Sequence, residues 1–251
     1  MISIKSEYEL NMMREASKIL VETREALRKI IKPGISTELL NQRADKIIRN
    51  LGGVPSFKDY EGYPKSICAS INHVVIHGIP NKKTVLKEGD IISIDLGVTY
   101  KGYHADSAAT FPVGNISKEK AQLLKVTEEA LYKGIEKAIP GNRVSDISHA
   151  IESYIKPYGY GIVETFTGHG IGRELHEEPQ VLNYGSPNQG PVLRPGMTIC
   201  IEPMVNLGTK HVKVLSDGWT VVTEDRQPSA HAEHMILITE DGHEIMTTKK
   251  E

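Results

Sequence analysis

The 251-residue sequence contains no run of about eighteen uncharged apolar residues, the length that an α-helix needs to cross a bilayer. Residues 1–7 also lack the apolar core of a signal peptide. Cysteine is scarce, because Cys68 and Cys200 stand alone and far apart in a chain too large to depend on disulfides. We therefore expect a cytoplasmic protein with reduced thiols and no membrane partner.

Charge of one sign is not concentrated anywhere along the chain. Its 30 basic and 32 acidic residues leave a formal charge of -2, so no nucleic-acid-binding surface is expected. The apolar share of 39% and the charged share of 25% are close to globular averages, which argues against a disordered or fibrous chain. The composition predicts a folded globular protein.

Three common catalytic motifs are also missing. No G-x-S-x-G occurs to suggest a serine hydrolase. A zinc-protease helix needs a second histidine four residues after His176, where Gln180 stands. The glycines from Gly168 to Gly172 do not continue into a dinucleotide-binding G-x-G-x-x-G. Any catalytic chemistry therefore rests on another set of residues.

The sequence contains one series of elements twice. In the first copy, one helix follows Ser6, a second follows Ser36 or Thr37, and strands cover 65–79 and 90–113. The second copy begins with a helix from Ser117 to about Ala138 and continues with a second helix and strands. Two hairpins with turns at 217–218 and 241–242 end the chain. An offset of 107 residues superimposes the two series and lays Asp95 on Glu202. We therefore expect one domain, 1–251, made of two related halves, about 1–114 and 115–251. Two such halves predict a pseudo-symmetric α+β fold with helices backing a curved antiparallel sheet.

Asp95 and Asp106 lie on neighbouring strand segments, where aspartate is disfavoured. A hairpin turning at 100–101 would make them direct cross-strand neighbours, and a turn displaced by one step would still leave them on one face. Two like charges there repel unless a cation or a shared proton intervenes, and a cation is the better explanation. Because Glu202 and Glu233 also stand at the edges of apolar strands, we expect a cation site between the halves.

Three histidines are candidates for the same site. Glycines flank His169, acidic residues surround His176, and a glycine follows His77. The other histidines are expected to be structural: His73, His104, His149, His211, His231, His234 and His243.

Taken in order, these residues resemble the type I methionine aminopeptidases of bacteria. The resemblance is carried by Gly168-His169-Gly170-Ile171-Gly172, His176-Glu177-Glu178-Pro179, His77-Gly78-Ile79-Pro80, Asp95-Leu96-Gly97, Ile201-Glu202-Pro203-Met204 and Glu233-His234. It covers nearly the whole chain and implies the pseudo-twofold "pita-bread" fold, which agrees with the duplication. It also implies a metalloaminopeptidase that removes the N-terminal methionine from newly made proteins.

The resemblance implies a centre of two divalent metal ions. The five ligands would be Asp95, Asp106, His169, Glu202 and Glu233, with Asp106 and Glu233 bridging the ions. Four carboxylates and one imidazole suit Co, Mn, Fe or Zn and do not decide among these metals. A bridging water, acidified by the metals, would become the nucleophile.

The resemblance also assigns roles around the metals. The free amino group and the scissile carbonyl of the substrate would bind the metals, while Glu202 takes the proton of the water as general base. His176 would stabilise the oxyanion, and His77 would contact the scissile nitrogen. A pocket for the methionine side chain is expected from Tyr60, Tyr63, Cys68, Leu175 and Trp219. Many relatives have phenylalanine in place of Leu175 and cysteine in place of Phe57, so the shape of this pocket stays open.

The expected partners are the N-terminal segments of new proteins, with the ribosome as a further candidate, and the resemblance implies a monomer. Aminopeptidase P and prolidase, which act beside proline, use a similar metal set but usually carry an additional N-terminal domain. A scaffold protein that has lost catalysis is a third interpretation, and such a protein is expected to lack metal ligands. The presence of all five ligands and both auxiliary histidines argues against this scaffold.

Overall fold

Side-chain caps determine where three of the helices begin. In the computed structural model, which describes residues 2–249, the α-helices are α1 (Glu7–Ile30), α2 (Thr37–Asn50), α3 (Lys118–Ile135) and α4 (Val144–Ile155). Ser6 accepts a hydrogen bond from the backbone of Glu9, whose side chain accepts one from Ser6 in return, and Ser117 caps α3. Helix α3 ends before the predicted Ala138, because the Ala138 amide bonds to the Ile135 carbonyl in a tighter turn.

Two strands of ten residues dominate the β structure, and the other strands described in residues 2–249 are shorter. The strands are β1 (Val54–Pro55), β2 (Cys68–Ile71), β3 (Val74–Ile76), β4 (Ile91–Tyr100), β5 (Tyr103–Pro112), β6 (Gly161–Ile162), β7 (Gly168–Gly170), β8 (Glu177–Val181), β9 (Thr198–Ile201), β10 (Met204–Asn206), β11 (Val212–Val214), β12 (Val221–Thr223), β13 (Ser229–His231), β14 (His234–Ile238) and β15 (His243–Ile245). The pairings among them are antiparallel, as the sequence predicts.

Two sheets carry the predicted acidic residues. In the first, β4 pairs with β5 on one side and with β1 and β2 on the other. In the second, the strand order is β15-β14-β9-β7-β8. The backbone amide of Glu233, just before β14, donates to the carbonyl of Ala108 on β5 at 2.9 Å. This hydrogen bond joins the two sheets beside the acids.

The hairpin of β4 and β5 differs by one step from the sequence prediction. Lys101 and Gly102 form the turn with φ of 48° and 81°, the positive values that a two-residue type I′ turn requires. Asp106 consequently pairs with Gly97, and Asp95 does not face it directly. The predicted direct pairing is wrong because the turn lies one residue later. Both aspartates nevertheless remain on one face, as diagonal neighbours.

The offset of 107 residues recurs in the backbone. Corresponding residues make the same contacts: Ser36 bridges to Val85 as Arg143 bridges to Val192, and Gly34 donates to Leu86 as Gly141 donates to Leu193. Gly34 and Gly141 also share a positive φ, +89° and +90°, which glycine adopts without steric cost. The two series of elements therefore have one local geometry.

Each helix pair buries its apolar face on the nearby sheet. Leu20 and Leu27 of α1 pack in one cluster with Ile94 of β4, and α3 and α4 pack in another with Ile199 and Ile236. Full burial of such a side chain stabilises the fold by about 1.5–3 kcal/mol. No helix within residues 2–249 is both long enough and apolar enough to span a bilayer.

Candidate metal centre

Four acidic side chains meet where the two sheets join. Asp95 and Asp106 share a face of the β4–β5 hairpin. The register of β9 with β14 ends at the pair of Ile201 with His234, and Glu202 and Glu233 are the next residues beyond this pair. The Ser107 hydroxyl donates to the Glu233 carbonyl at 2.8 Å, which holds Glu233 against the hairpin.

Three carboxylate oxygens at this centre lack a hydrogen-bond partner within residues 2–249. One oxygen each of Asp95, Asp106 and Glu233 is buried without a hydrogen bond from any residue in 2–249. Ligand atoms of the same three residues lie within 4.8 Å of one another. A buried carboxylate without a partner is costly, and a cation among these oxygens removes the cost. The residues present therefore fit a divalent metal ion.

The pKa values of the four acids reflect the same cost of burying carboxylates. Burial raises the pKa of Asp95 to about 6. Burial, followed by the negative charges of Glu233, Asp95 and Glu202, raises the pKa of Asp106. The pKa values of Glu202 and Glu233 are raised first by burial and then by neighbouring carboxylates. A bound cation has the opposite effect, because its charge favours the ionised carboxylates.

His169 supplies an imidazole to the acids. Its Nε2 lies 3.5 Å from Glu202 Oε1 and 4.0 Å from Asp106 Oδ2. Its Nδ1 lies 2.8 Å from the Gly170 carbonyl, which can only accept, so Nδ1 carries the proton. Burial lowers the pKa of His169 to about 3, which keeps the ring neutral. The free electron pair of Nε2 is then directed at the carboxylates, as a metal ligand requires.

Two further histidines border the acids. The ring of His176 packs edge-on against His169 at 4.4 Å between centroids, and its Nδ1 lies 2.9 Å from the Tyr60 hydroxyl. His77 packs against the Trp219 ring and has a φ of 58°, a conformation that non-glycine residues adopt mainly where the surroundings enforce it. Burial lowers the pKa of His176, and that of His77 to about 4, so both rings are neutral near pH 7.

A cavity of about 150 Å³ opens onto the acids. The twelve residues that the sequence proposes for the site all line it: Tyr60, Tyr63, Cys68, His77, Asp95, Asp106, His169, Leu175, His176, Glu202, Trp219 and Glu233. Phe57 and Glu61 complete the lining. The rings of Tyr63 and Trp219 meet edge-on at 5.1 Å and form its apolar side.

Sequence reasoning missed two residues beside the acids. His231, expected to be structural, is fully enclosed, with Nε2 3.5 Å from Glu202 Oε2 and no hydrogen bond to either ring nitrogen from residues 2–249. Cys200 has its sulfur within 4.8 Å of ligand atoms of His169 and Glu233. Cys200 stands two residues before Glu202, and His231 stands two residues before Glu233. Because alternate residues of a strand share a face, this spacing was the signal that could have placed both beside the acids. Both cysteines are unpaired and buried, which confirms the predicted thiols.

Comparison with known proteins relates the whole chain to one family. The model of metallopeptidase family M24 matches residues 11–240. Methionine aminopeptidase 1 of Bacillus subtilis is 54% identical over 98% of this chain and 99% of its own length. Methionine aminopeptidase of Escherichia coli strain K12 is 43% identical over 100% of this chain and 95% of its own.

Solved structures agree with this relationship. The methionine aminopeptidase from Thermotoga maritima superimposes with a TM-score of 0.98 at 44% identity, over 99% of this chain and 100% of that one. A prolidase from Pyrococcus furiosus superimposes with a TM-score of 0.81 at 25% identity, over 99% of this chain but 66% of its own. The pita-bread fold expected from the sequence is thereby confirmed.

Proposed function

Because the chain belongs to metallopeptidase family M24, and within it to the bacterial methionine aminopeptidases, we propose that the acidic centre is its catalytic site. The chain is a metal-dependent hydrolase that removes the N-terminal methionine from newly made proteins. One observation carries the site assignment: buried carboxylates from both sheets converge on a space where their oxygens lack hydrogen bonds from residues 2–249. Divalent metal ions are required by the family, and this space has the ligands to hold them.

We assign the centre two divalent ions, Co, Mn, Fe or Zn, held by Asp95, Asp106, His169, Glu202 and Glu233. Asp106 and Glu233 would be shared between the ions. Both belong to the oxygen group that includes Asp95, and each also approaches His169, which supports a bridging position. Bound divalent ions supply Lewis acidity, which makes a water molecule acidic enough to act as a nucleophile near neutral pH.

Glu202 is the proposed general base. Burial raises the pKa of its carboxyl in the absence of metal, and bound ions would favour the ionised carboxylate, which is the form that accepts a proton. Its two oxygens face different neighbours, with Oε1 towards His169 and Oε2 towards His231. One oxygen can therefore remain a ligand while the carboxylate takes a proton from the attacking water.

His176 is the proposed donor to the oxygen of the scissile carbonyl. The pKa of Tyr60 is raised by burial, so its hydroxyl keeps its proton and can donate to His176 Nδ1. The single proton of the neutral ring then lies on Nε2, where it can stabilise the developing negative charge. His77, neutral and held by Trp219, would contact the nitrogen of the scissile peptide and support departure of the amine.

The methionine side chain is assigned to the part of the cavity formed by Tyr60, Tyr63, Cys68, Leu175 and Trp219. Aromatic edges and a neutral thiol suit a polarizable thioether. Leu175 is almost completely buried, and burial, ahead of the charge of Asp95, raises the pKa of the Cys68 thiol. The pocket thus presents no charge to the substrate side chain.

We further propose that residues 1–251 form one catalytic domain of two related halves, about 1–114 and 115–251. Repeated backbone contacts at the offset of 107 support this division. The N-terminal segments of nascent proteins are the substrates. Since these substrates are new chains, we propose that the enzyme acts in the cytoplasm, as a monomer, on peptides that leave the ribosome.

Turnover of a Met-Ala-Ser peptide tests these assignments. Loss of a general base or an oxyanion donor costs about 10²–10³-fold in rate. We expect reductions of this size for Glu202→Gln, His176→Ala and His77→Ala, and a loss below about tenfold rejects the role of that residue. An Ala-Pro-Ala peptide serves as the competing substrate. Its cleavage without methionine release would indicate a proline-specific enzyme instead.

A further inference from the structure

The metal centre contains a thiol that the five-ligand assignment does not use. Cys200 lies on β9 two residues before Glu202, so both side chains leave the strand on one face. Strand β7 pairs with β9 at Gly170 and Ile199, which are the sequence neighbours of His169 and Cys200. Cys200 has no exposed surface and forms no disulfide. The thiol therefore belongs to the wall of the centre.

Ligand atoms at the centre form two groups with one shared member. The atoms of His169, Cys200 and Glu233 lie within 4.8 Å of one another, and so do those of Asp95, Asp106 and Glu233. The first group offers nitrogen, sulfur and oxygen, whereas the second offers only oxygen. The two sides of the centre consequently differ in chemical softness.

An independent observation indicates that the first group has room for a ligand. Glu233 is 2% exposed, and its Oε1 has no hydrogen-bond partner in residues 2–249. The Nε2 of His169 carries a free electron pair, since its Nδ1 holds the proton. A carboxylate, an imidazole and a thiol with ligand atoms within 4.8 Å of one another match the ligand types of zinc sites, which bind through three protein residues and keep an open position in enzymes.

We propose that Cys200 adds a sulfur ligand on the His169 side of the five-ligand centre, so that the metal position there prefers Zn²⁺ or Cd²⁺ over Mn²⁺, while the position on the Asp95 side keeps only oxygen ligands. This inference deepens the proposed function and rests on it. Sulfur ligands favour zinc, whereas carboxylates alone suit manganese, so the two positions select different ions from a mixture.

The softness of sulfur decides which ions bind through it. Coordination breaks the S–H bond of the Cys200 thiol, leaves the electron pair on sulfur as the metal–sulfur bond, and releases the proton to the buffer. Thiolate sulfur suits zinc and cadmium, whereas manganese prefers oxygen ligands, and this difference is the physical origin of the expected selectivity.

Cobalt and cadmium provide the test on the full chain. The protein is stripped of metal with a chelator and reloaded with one equivalent of Co²⁺ or Cd²⁺. A charge-transfer band from thiolate to metal is expected in the near ultraviolet. The band is lost in Cys200→Ser and kept in Cys68→Ser, the matched control that removes the other buried cysteine, which lines the cavity. Cd²⁺ affinity should fall by more than about a hundredfold in Cys200→Ser, since the loss of an outer-sphere partner alone costs about 10–100-fold.

The outcomes separate this inference from the proposed function. Visible d–d absorption of bound Co²⁺ without a charge-transfer band overturns the proposed sulfur ligand and leaves the five-ligand centre intact. A band that disappears in Cys68→Ser but survives in Cys200→Ser also overturns it. Failure to bind Co²⁺ at all contradicts the centre itself.

Should Cys200→Ser not fold, X-ray absorption of the wild-type protein with one equivalent of Zn²⁺ decides the matter. A sulfur neighbour at about 2.3 Å supports the inference, and a shell of only nitrogen and oxygen at about 2.0–2.2 Å refutes it.

Discussion

Replacing Asp95 by asparagine is expected to stabilise the protein once its metal ions are removed. Asp95 is packed among three other acids, and burial raises its pKa from 3.8 to about 6. At neutral pH the folded protein must therefore keep an unfavourable charge that the unfolded chain carries freely. Asparagine has nearly the same shape and no charge, so it removes the cost of burying that charge.

The size and the pH range of the effect follow from the pKa shift. A rise from 3.8 to about 6 corresponds to about 3 kcal/mol at pH 7, because each unit is worth about 1.4 kcal/mol. Between about pH 4 and 6 the folded state binds the proton more tightly than the unfolded state does, so wild-type stability falls relative to the variant as pH rises. The advantage of Asp95→Asn is thus full above about pH 6 and vanishes near pH 4.

Urea unfolding followed by circular dichroism, with a chelator present, measures this difference across the pH range. The pKa values of His77, His169 and His234 are lowered by burial, with no contribution from Asp95, so their effect on the pH dependence of stability cancels between the two proteins. Asp241→Asn, at an exposed turn residue, is the control and should show no such slope.

Saturating Mn²⁺ should reverse the sign, because only the wild type retains the full ligand set and gains stability from binding. The reasoning is refuted if Asp95→Asn is destabilising without metal at neutral pH, or if its advantage does not depend on pH.

Three further changes probe separate parts of the structure. Tyr60→Phe removes the 2.9 Å hydrogen bond to His176, so kcat for Met-Ala-Ser should fall about tenfold. In a double variant with His176→Ala, steady-state kinetics should show no further loss of kcat beyond that of His176→Ala alone. Gly170→Ala would place a β-carbon 2.2 Å from the Glu178 carbonyl, so the urea midpoint should drop by the equivalent of about 1–3 kcal/mol or more, and an unchanged midpoint would contradict this packing. Ser117→Ala removes the cap of α3 and should lower the free energy of unfolding by about 1 kcal/mol while Mn²⁺ affinity measured by calorimetry stays the same.

Local signals determined much of the architecture. Ser6 and Ser117 predict where their helices begin, because a side chain and a backbone amide three residues away suffice to form a cap. The repeat could be read because equal spacing of glycines and apolar residues imposes equal turns, as Gly34 and Gly141 show with nearly identical φ values. The resemblance to a family added what no local rule supplies, namely the activity.

The hairpin shows where local signals stop. Strand identity and the shared face of Asp95 and Asp106 follow from the alternation of side chains, which survives a shift of the turn by one residue. The turn itself depends on which residues adopt positive φ. Lys101 and Gly102 do so, and this moved Asp106 opposite Gly97.

Only the tertiary structure decided what surrounds the acids. A hydrogen bond between Glu233 and Ala108, far apart in sequence, brings the second sheet against the first, and no sequence pattern encodes that distance. His231 and Cys200 face the centre for the same reason, since a strand pattern defines two faces without saying which one meets the other half. The sequence by itself determined the residues capable of binding metal. Packing between the halves determined that a thiol and a further imidazole lie among them.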